Sequence, residues 1–476
     1  MDSKEFRHEG YRLIDWIADY LDHAENHHVL SQVQPGDIDA RIPASAPLQG
    51  QHMSDILDDF ERDILPGVTH WNHPRFFAYF PANNSGPSIL GELLSAGLGV
   101  NAMLWQTSPA ATELEQRMMI WLAELIGLPA GFHGVIQDTA STATLCALLC
   151  AREKTTAFAF NARGPEALSP DGPLRIYCST EAHSSVVKGA RIAGFGDRNI
   201  VQVKTDGNRA LDPADLQARI DADRQAGLTP CCIVATVGTT STTAIDPLPA
   251  IGPIARTEEL WLHVDAALAG SAAILPEKRW LLEGVEHADS LVFNPHKWLF
   301  VNFDCSAFYV RDPAHLERVM AIDPAYLQTD RDNQVTNFRD WGIQLGRRFR
   351  ALKLWFVLRS YGAENLRAML AEHIALAAEF KSWVEDDPDW ELLAPVPLNT
   401  VCFRLHPVGF QGDDDELNSL NKDLMNRVNR AGRIYLTHTV LDGRYTLRMS
   451  IGQTGTRRRH VEEAWEELRE KARQQS

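Results

Sequence analysis

The chain has 476 residues, 45% of them hydrophobic and 23% charged, with a formal net charge of −17 and seven cysteines. That length exceeds one small domain and fits two or three, and the composition is globular, not disordered, fibrous or collagen-like. The acidity disfavours polyanions and excludes nucleic acid as a partner class; it speaks to solubility rather than to a substrate.

The N-terminal Met-Asp-Ser-Lys-Glu-Phe-Arg-His run lacks the apolar core of a signal peptide. No run of about 18 apolar residues predicts a membrane span. Cys146, Cys150, Cys178, Cys231, Cys232, Cys305 and Cys402 form neither a disulfide ladder nor a metal-binding pair. They read as buried thiols of a cytoplasmic protein, and no metal site is expected.

Leu13, Ile14, Trp16, Ile17, Tyr20 and Leu21 recur near a 3.6-residue period and predict a helix. Proline-bearing stretches follow at 34–43 and 44–48, then a second amphipathic helix over 56–65. Residues 1–80 thus form a helical segment with a thin core, expected to pack on something else such as a second subunit. Over 81–360, apolar runs of strand length alternate with helical patterns, at 174–178, 200–203, 231–237, 260–264, 290–293 and 307–310. That alternation predicts an α/β domain built on a parallel, helix-covered sheet. Residues 361–476 give a helix over 364–383, strands at 401–405 and 445–451, and a charged helix over 457–473. They predict a small α+β domain, and no internal repeat is present.

Lys297 falls just past the apolar run 290–293, with Asn294 and His296 beside it and Trp298, Leu299 and Phe300 after it. A lone lysine is ordinarily a solvated surface charge. One in this company loses its proton more easily and can form a Schiff base. Upstream, the run Trp261-Leu-His-Val-Asp265 is an apolar strand ending in a carboxylate. Such an acid ordinarily caps the next turn; the functional reading pairs it with a cationic ring nitrogen, the electron sink of pyridoxal phosphate (PLP). Ala266 and Ala267 leave room for a flat ring. Thr139, Ala140 and Ser141 open an apolar helix and read equally as an N-cap or as a phosphate site. His183, between a strand and a helix, is ordinarily structural, or else stacks on the ring.

Taken in order, a hydroxyl loop, a histidine, a strand-end aspartate and a lysine in an alternating α/β chain resemble fold-type I PLP-dependent enzymes. His-Val-Asp-Ala-Ala at 263–267, Phe-Asn-Pro-His-Lys-Trp at 293–298, Val-Asn-Phe-Asp-Cys-Ser at 301–306 and Leu-Gly-Arg-Arg-Phe-Arg at 345–350 narrow this further. They resemble the group II amino-acid decarboxylases, the aromatic-L-amino-acid decarboxylases above all, from about Glu5 to the last helix. The resemblance implies a fold-type I transferase fold: a large domain with a mainly parallel seven-stranded sheet, a helical N-terminal segment and a small C-terminal domain. It implies PLP as cofactor and a homodimer with shared active sites. The implied activity is that of a carboxy-lyase taking tryptophan, 5-hydroxytryptophan, dopa, tyrosine or phenylalanine to the amine and CO2.

By the same resemblance Lys297 carries the cofactor, Asp265 holds its ring nitrogen, His183 stacks on the ring and Ala267 lies against the other face. Thr139, Ala140, Ser141, Asn294 and His296 would surround the phosphate, Thr240 would lie near cofactor and substrate carboxylate, and Phe303 would reach the partner's site. Tyr326, in Asp323-Pro-Ala-Tyr-Leu on a mobile loop, takes the place of the proton donor. Related aldehyde synthases have Phe there, so Tyr326 argues for simple decarboxylation. Trp71, Tyr79, Phe80 and Pro81 match the substrate pocket, although Trp71 also suits ordinary core packing. Asn101 and Met103 stand where animal relatives have Ile and Phe, Leu268 where they have Tyr, and Asp138 where they have Gly; Asp138 is expected to point away from the phosphate. Gly346 goes with indole substrates in plant relatives. Arg339, Arg347 and Arg348 would support the loop, and Arg448 resembles the carboxylate-binding arginine of PLP aminotransferases. The alternatives are a decarboxylase of a non-aromatic amino acid such as histidine, or an oxidatively deaminating aldehyde synthase.

Overall fold

The computed structural model describes residues 1–168, 172–322 and 324–474. Asp323, at the head of the Tyr326 motif, lies outside the described residues. The chain divides into two compact units. The larger comprises Ala82–Ala375 and Ala394–Thr400; the other comprises Met1–Pro81, Leu376–Leu393 and Val401–Ser476.

The larger unit is built on a sheet of β1 (His133–Gln137), β2 (Leu174–Ser179), β3 (Ile200–Val203), β4 (Thr229–Thr236), β5 (Trp261–Asp265), β6 (Ser290–Phe293) and β7 (Ser306–Val310). Their order is β1-β7-β6-β5-β4-β2-β3. β7 pairs antiparallel with both neighbours and the other pairs are parallel. This is the mainly parallel seven-stranded sheet expected from the sequence. β5, β6 and β7 are buried along their whole length, as expected of strands covered by helices on both faces. The helix Ala140–Thr155 packs into the core beside β2 and β4 with Leu145, Cys146, Leu148 and Cys150. β1 escapes a reading by apolar runs because it begins His133-Gly134. Glycine is favoured there, since a Cβ would come 2.7 Å from the buried Tyr309 ring and 2.9 Å from Met119 Cβ.

The other unit contains β8 (Trp390–Leu392), β9 (Thr400–Leu405), β10 (Thr437–Leu441) and β11 (Arg444–Ser450), in the order β10-β11-β9-β8. The helix Asp414–Ala431 starts in a capping box between Asp413 and Glu416 and stops at Gly432, whose φ of 73° suits only a left-handed cap. The N-terminal helix Ser3–Asp22 begins where the Asp2 carboxylate accepts the Lys4 and Glu5 N–H groups, and it buries none of its residues. All seven cysteines are buried. Among the described residues no helix is long and apolar enough to cross a membrane.

Candidate active site

Because six of the seven strands run the same way, their C-terminal ends share one edge of the sheet, where open α/β sheets bind ligands. Asp265 ends β5, and Lys297 follows β6 on the one-turn helix Pro295–Trp298. Asn294 precedes this helix and its carbonyl accepts the Lys297 N–H at 2.9 Å. Asn83 fixes the turn from outside: its Nδ2 donates to the Lys297 carbonyl at 2.7 Å and its N–H to the His296 carbonyl at 3.1 Å.

His296 is locked by both backbone groups and its ring. Its N–H donates to the Cys305 carbonyl at 3.2 Å, and the Cys305 N–H donates to His296 Nδ1 at 2.9 Å. The ring proton therefore sits on Nε2. Burial, aided by Lys297 and Lys353, lowers the His296 pKa to about 3, so the ring is neutral. Phe303 tilts over this ring, 4.6 Å between centroids, and is itself exposed. The Asn294 amide oxygen accepts the Ser306 hydroxyl at 2.6 Å, which leaves its NH2 as the outward donor. Ser306 Oγ also lies 3.4 Å from the Asp138 carbonyl and so bridges the ends of β6 and β1.

At the end of β1 Thr139 caps the helix Ala140–Thr155 through its hydroxyl and the Thr142 N–H. The first N–H groups of a helix and its dipole form an anion site. The Asp138 carboxylate turns back to accept the Thr139 N–H at 2.7 Å. Asp265 is 3% exposed and accepts the Ala267 N–H at 3.1 Å. The Ala267 carbonyl accepts the Asn294 N–H at 2.9 Å, joining the Asp265 and Lys297 turns. His183 follows β2, and its Nδ1 accepts the Ser185 hydroxyl at 2.8 Å and the Ser185 N–H at 3.1 Å. Its pKa is lowered, first by lost hydration, with Lys297 and Lys188 adding and Asp265 opposing. The charges of Asp265 and Lys297 thus act on the His183 ring in opposite senses. Thr240 is exposed at the β4 edge. Beneath it the buried Asp246 carboxylate accepts the Thr236 and Leu211 N–H groups, both at 2.7 Å. Burial raises its pKa to about 7.

Asn101, Met103, Tyr326 and Gly346 belong to the same unit. The Asn101 Oδ1 accepts the Arg347 N–H at 3.0 Å, and the Ala102 N–H donates to the Arg347 carbonyl at 2.8 Å. Arg347 is held from beneath by Glu115 at 2.6 Å, a buried pair. A Cβ on Gly346 would meet only Asn101 Nδ2, at 3.8 Å. The Met103 carbonyl accepts the Arg339 N–H at 3.0 Å. Tyr326 stands 76% exposed, while its neighbour Leu327 is buried and gives its carbonyl to Arg339 at 2.8 Å. Leu268 is buried. Trp71, Tyr79, Phe80 and Pro81 belong to the other unit. There Trp71 and Tyr79 stack with centroids 5.8 Å apart, 38% and 50% exposed.

Asn83, Ser306 and Asp246 carry no local signal of these roles. Asn83 lies in a Pro-Ala-Asn-Asn turn and acts 214 positions away. Lys353 is another: almost fully buried, it lies 2.9 Å from Glu92, which also accepts Asn302 Nδ2 at 3.4 Å, next to the turn where Arg350 grips Asp304 at 3.1 and 3.0 Å.

A lysine one turn past β6, a buried carboxylate ending β5, a histidine following β2 and the start of a capped helix, all on one sheet edge, are the arrangement expected of a fold-type I PLP enzyme. Comparison with known proteins narrows the class. The pyridoxal-dependent decarboxylase conserved domain matches residues 35–406. The chain is 45% identical to a phenylacetaldehyde synthase of Arabidopsis thaliana over 99% of its length and 96% of the relative's. It is 44% identical to tryptophan decarboxylase 2 of Oryza sativa, over 99% and 95%. The structure of Oryza sativa TDC with PLP and tryptamine superposes with a TM-score of 0.96 at 35% identity, covering 100% of this chain and 99% of that one. The chain belongs to the pyridoxal-dependent decarboxylase family. It is a carboxy-lyase, and its cofactor is PLP. The residues fit that group: a buried acid for the ring nitrogen, a lysine one turn past a strand, and backbone and hydroxyl donors for a phosphate.

Proposed function

We propose that this enzyme decarboxylates an aromatic L-amino acid, tryptophan or 5-hydroxytryptophan first and dopa, tyrosine or phenylalanine after them, to the amine and CO2. The observation that carries this reading is the joining of the Asp265 and Lys297 turns at the sheet edge, where Ala267 donates its N–H to Asp265 at 3.1 Å and accepts the Asn294 N–H at 2.9 Å. The names of the relatives, tryptophan and tyrosine decarboxylases among them, support an aromatic substrate. Gly346 presents no side chain, and a Cβ there would meet only Asn101 Nδ2 at 3.8 Å, which suits a larger ring better than a bulkier residue would.

When bound, PLP supplies a protonated pyridine ring that accepts the electrons of the breaking bond. Lys297 would hold it through its amine, and Asp265, buried at the end of β5, would pair with the ring nitrogen. Neutral His296 offers Nε2–H, and Asn294 its NH2, to the phosphate beside Thr139, Ala140 and Ser141. His183 and Ala267 would bracket the ring, with Thr240 toward the substrate. The Tyr326 hydroxyl delivers the proton to the α-carbon once its segment closes over the site. Trp71, Tyr79, Phe80, Pro81, Asn101, Met103 and Gly346 recognise the substrate side chain.

The enzyme works as a homodimer in the cytoplasm. The helices Ser3–Asp22 and Gly86–Leu98 each leave apolar side chains exposed, Phe6, Tyr11, Leu90, Leu93, Leu94 and Leu98 among them. Such patches suit burial against a second copy, whose Phe303 would complete the site. An aldehyde synthase relative stands among the similar proteins, but Tyr326 favours amine release. The test is a product assay on PLP-loaded protein with tryptophan, 5-hydroxytryptophan, dopa, tyrosine, phenylalanine, histidine and glutamate. Amine from an aromatic substrate supports the reading. Amine only from histidine or glutamate overturns the pocket assignment, and aldehyde in place of amine overturns the role of Tyr326.

A further inference from the structure

Tyr79 adopts φ 51°, a left-handed conformation unusual for a bulky residue, and it remains half exposed while stacked on Trp71. Backbone held in a sparsely populated region persists only where its surroundings impose it. Here a single cross-strand pair imposes it. Thr437 on β10 lies opposite Arg448 on β11. The Thr437 hydroxyl oxygen accepts the Tyr79 N–H at 3.2 Å, and Arg448 Nη1 donates to the Tyr79 carbonyl. Both backbone groups of the strained residue are thus taken by one rung of the sheet. The Arg448 guanidinium also lies over the Phe80 ring, 4.6 Å from its centroid, a cation–π contact. On the N-terminal side the Phe77 N–H donates to the Tyr435 carbonyl at 3.0 Å and the Ser450 N–H to the Phe77 carbonyl at 2.9 Å. The Tyr79 and Tyr435 hydroxyls meet at 3.3 Å.

We propose that Arg448 is a positioning residue that fixes the left-handed turn at Tyr79, and through the Trp71, Tyr79 and Phe80 rings sets selectivity for an aromatic side chain. This rests on the pocket assignment made above. Arg448 is 4% exposed, and burial lowers its pKa only to about 10, so it is charged at neutral pH. One arm is committed to a peptide carbonyl and the guanidinium face to a ring. A carboxylate clamp of the aminotransferase kind needs those same groups free, so the geometry favours holding the pocket wall over holding the substrate's acid group. Without Arg448 the Tyr79 carbonyl loses a buried donor and the turn relaxes toward negative φ, swinging the Tyr79 and Phe80 rings.

The test uses the holoenzyme with Arg448→Met, Arg448→Lys and Thr437→Val. Steady-state kinetics with the preferred aromatic substrate, the absorbance of the bound cofactor, and hydrogen exchange of the peptide covering residues 76–81 are measured. Arg448→Met is expected to raise KM about tenfold or more with a smaller change in kcat, to leave the cofactor absorbance unchanged, and to speed exchange at Phe77 and Tyr79. Arg448→Lys keeps a donor but not the planar cover of Phe80, so it should recover much of the exchange protection and less of the KM. Thr437→Val should shift both readouts in the same direction as Arg448→Met, more weakly. Unchanged exchange in Arg448→Met overturns the proposal, and so does faster exchange with KM unchanged within twofold. If the wild type makes no amine from any aromatic amino acid, the function proposed above fails and takes the selectivity with it, and exchange alone decides the positioning role.

Discussion

Lys297 leaves the sheet one helical turn past β6, with its backbone held by Asn83 and Asn294. Removing its amine takes away the covalent anchor and leaves the turn in place. Lys297→Ala is therefore expected to lose the visible absorbance of bound cofactor and to slow turnover on the order of a thousandfold or more. A spectrum identical to wild type would refute the anchoring role. Tyr326→Phe removes the proposed proton donor; amine output should fall about a hundredfold, with aldehyde formed in its place at the expense of dioxygen. Unchanged amine output would mean another group protonates the α-carbon. The places of Lys297, Asp265 and His183 were legible because each lies at or just past the end of an apolar strand. Asn83, Ser306 and Asp246 were not, because their partners lie 214, 12 and 35 or 10 positions away and their types occur in every turn.

At the scale of elements, apolar runs of four to eight residues mark the buried central strands well, because strands covered on both faces need no alternation. β1 and β10 escape that reading. The first opens on His133-Gly134, and the second alternates exposed His438 and Val440 with less exposed neighbours. The helix Ala140–Thr155 extends beyond its apolar centre because Thr139 caps one end and Arg152 and Lys154 suit the other. Close approach between elements is equally hidden. A Cβ on Gly91, in the helix Gly86–Leu98, would lie 2.7 Å from the Lys353 Cα, backbone that cannot give way. Gly91→Ala should thus destabilise the larger unit by about 1–3 kcal/mol despite alanine's better helix propensity. Urea unfolding measures this, and a midpoint equal to or above wild type would contradict so tight a helix approach.

At the scale of the whole molecule, four histidines are enclosed as neutral rings. Burial lowers the pKa of His70 and His263 to about 4 and that of His73 and His296 to about 3. The unfolded chain takes up these protons near pH 6.5 and the folded chain only well below it. Stability is therefore full above pH 6.5 and falls as pH drops toward 4, by about 1.4 kcal/mol per pH unit for each histidine. Unfolding midpoints between pH 8 and 5 test this; a flat profile through pH 5 would show that the rings are solvated. The grouping of residues 1–81 with the C-terminal segments is of the same order of size, and no local pattern carries it, since it depends on pairings more than 350 positions apart such as Phe77 with Tyr435.

The seven buried cysteines have a practical corollary. Burial raises the pKa of Cys146, Cys178, Cys231 and Cys305 to about 12, and it also raises those of Cys150 and Cys232 well above the ordinary thiol value. Alkylating reagents attack the thiolate, and here it is both scarce and enclosed. A cysteine introduced on the exposed segment that carries Tyr326 would take a maleimide dye ahead of every native thiol. The proposed closing of that segment over the site can then be tested by fluorescence in an otherwise unaltered chain.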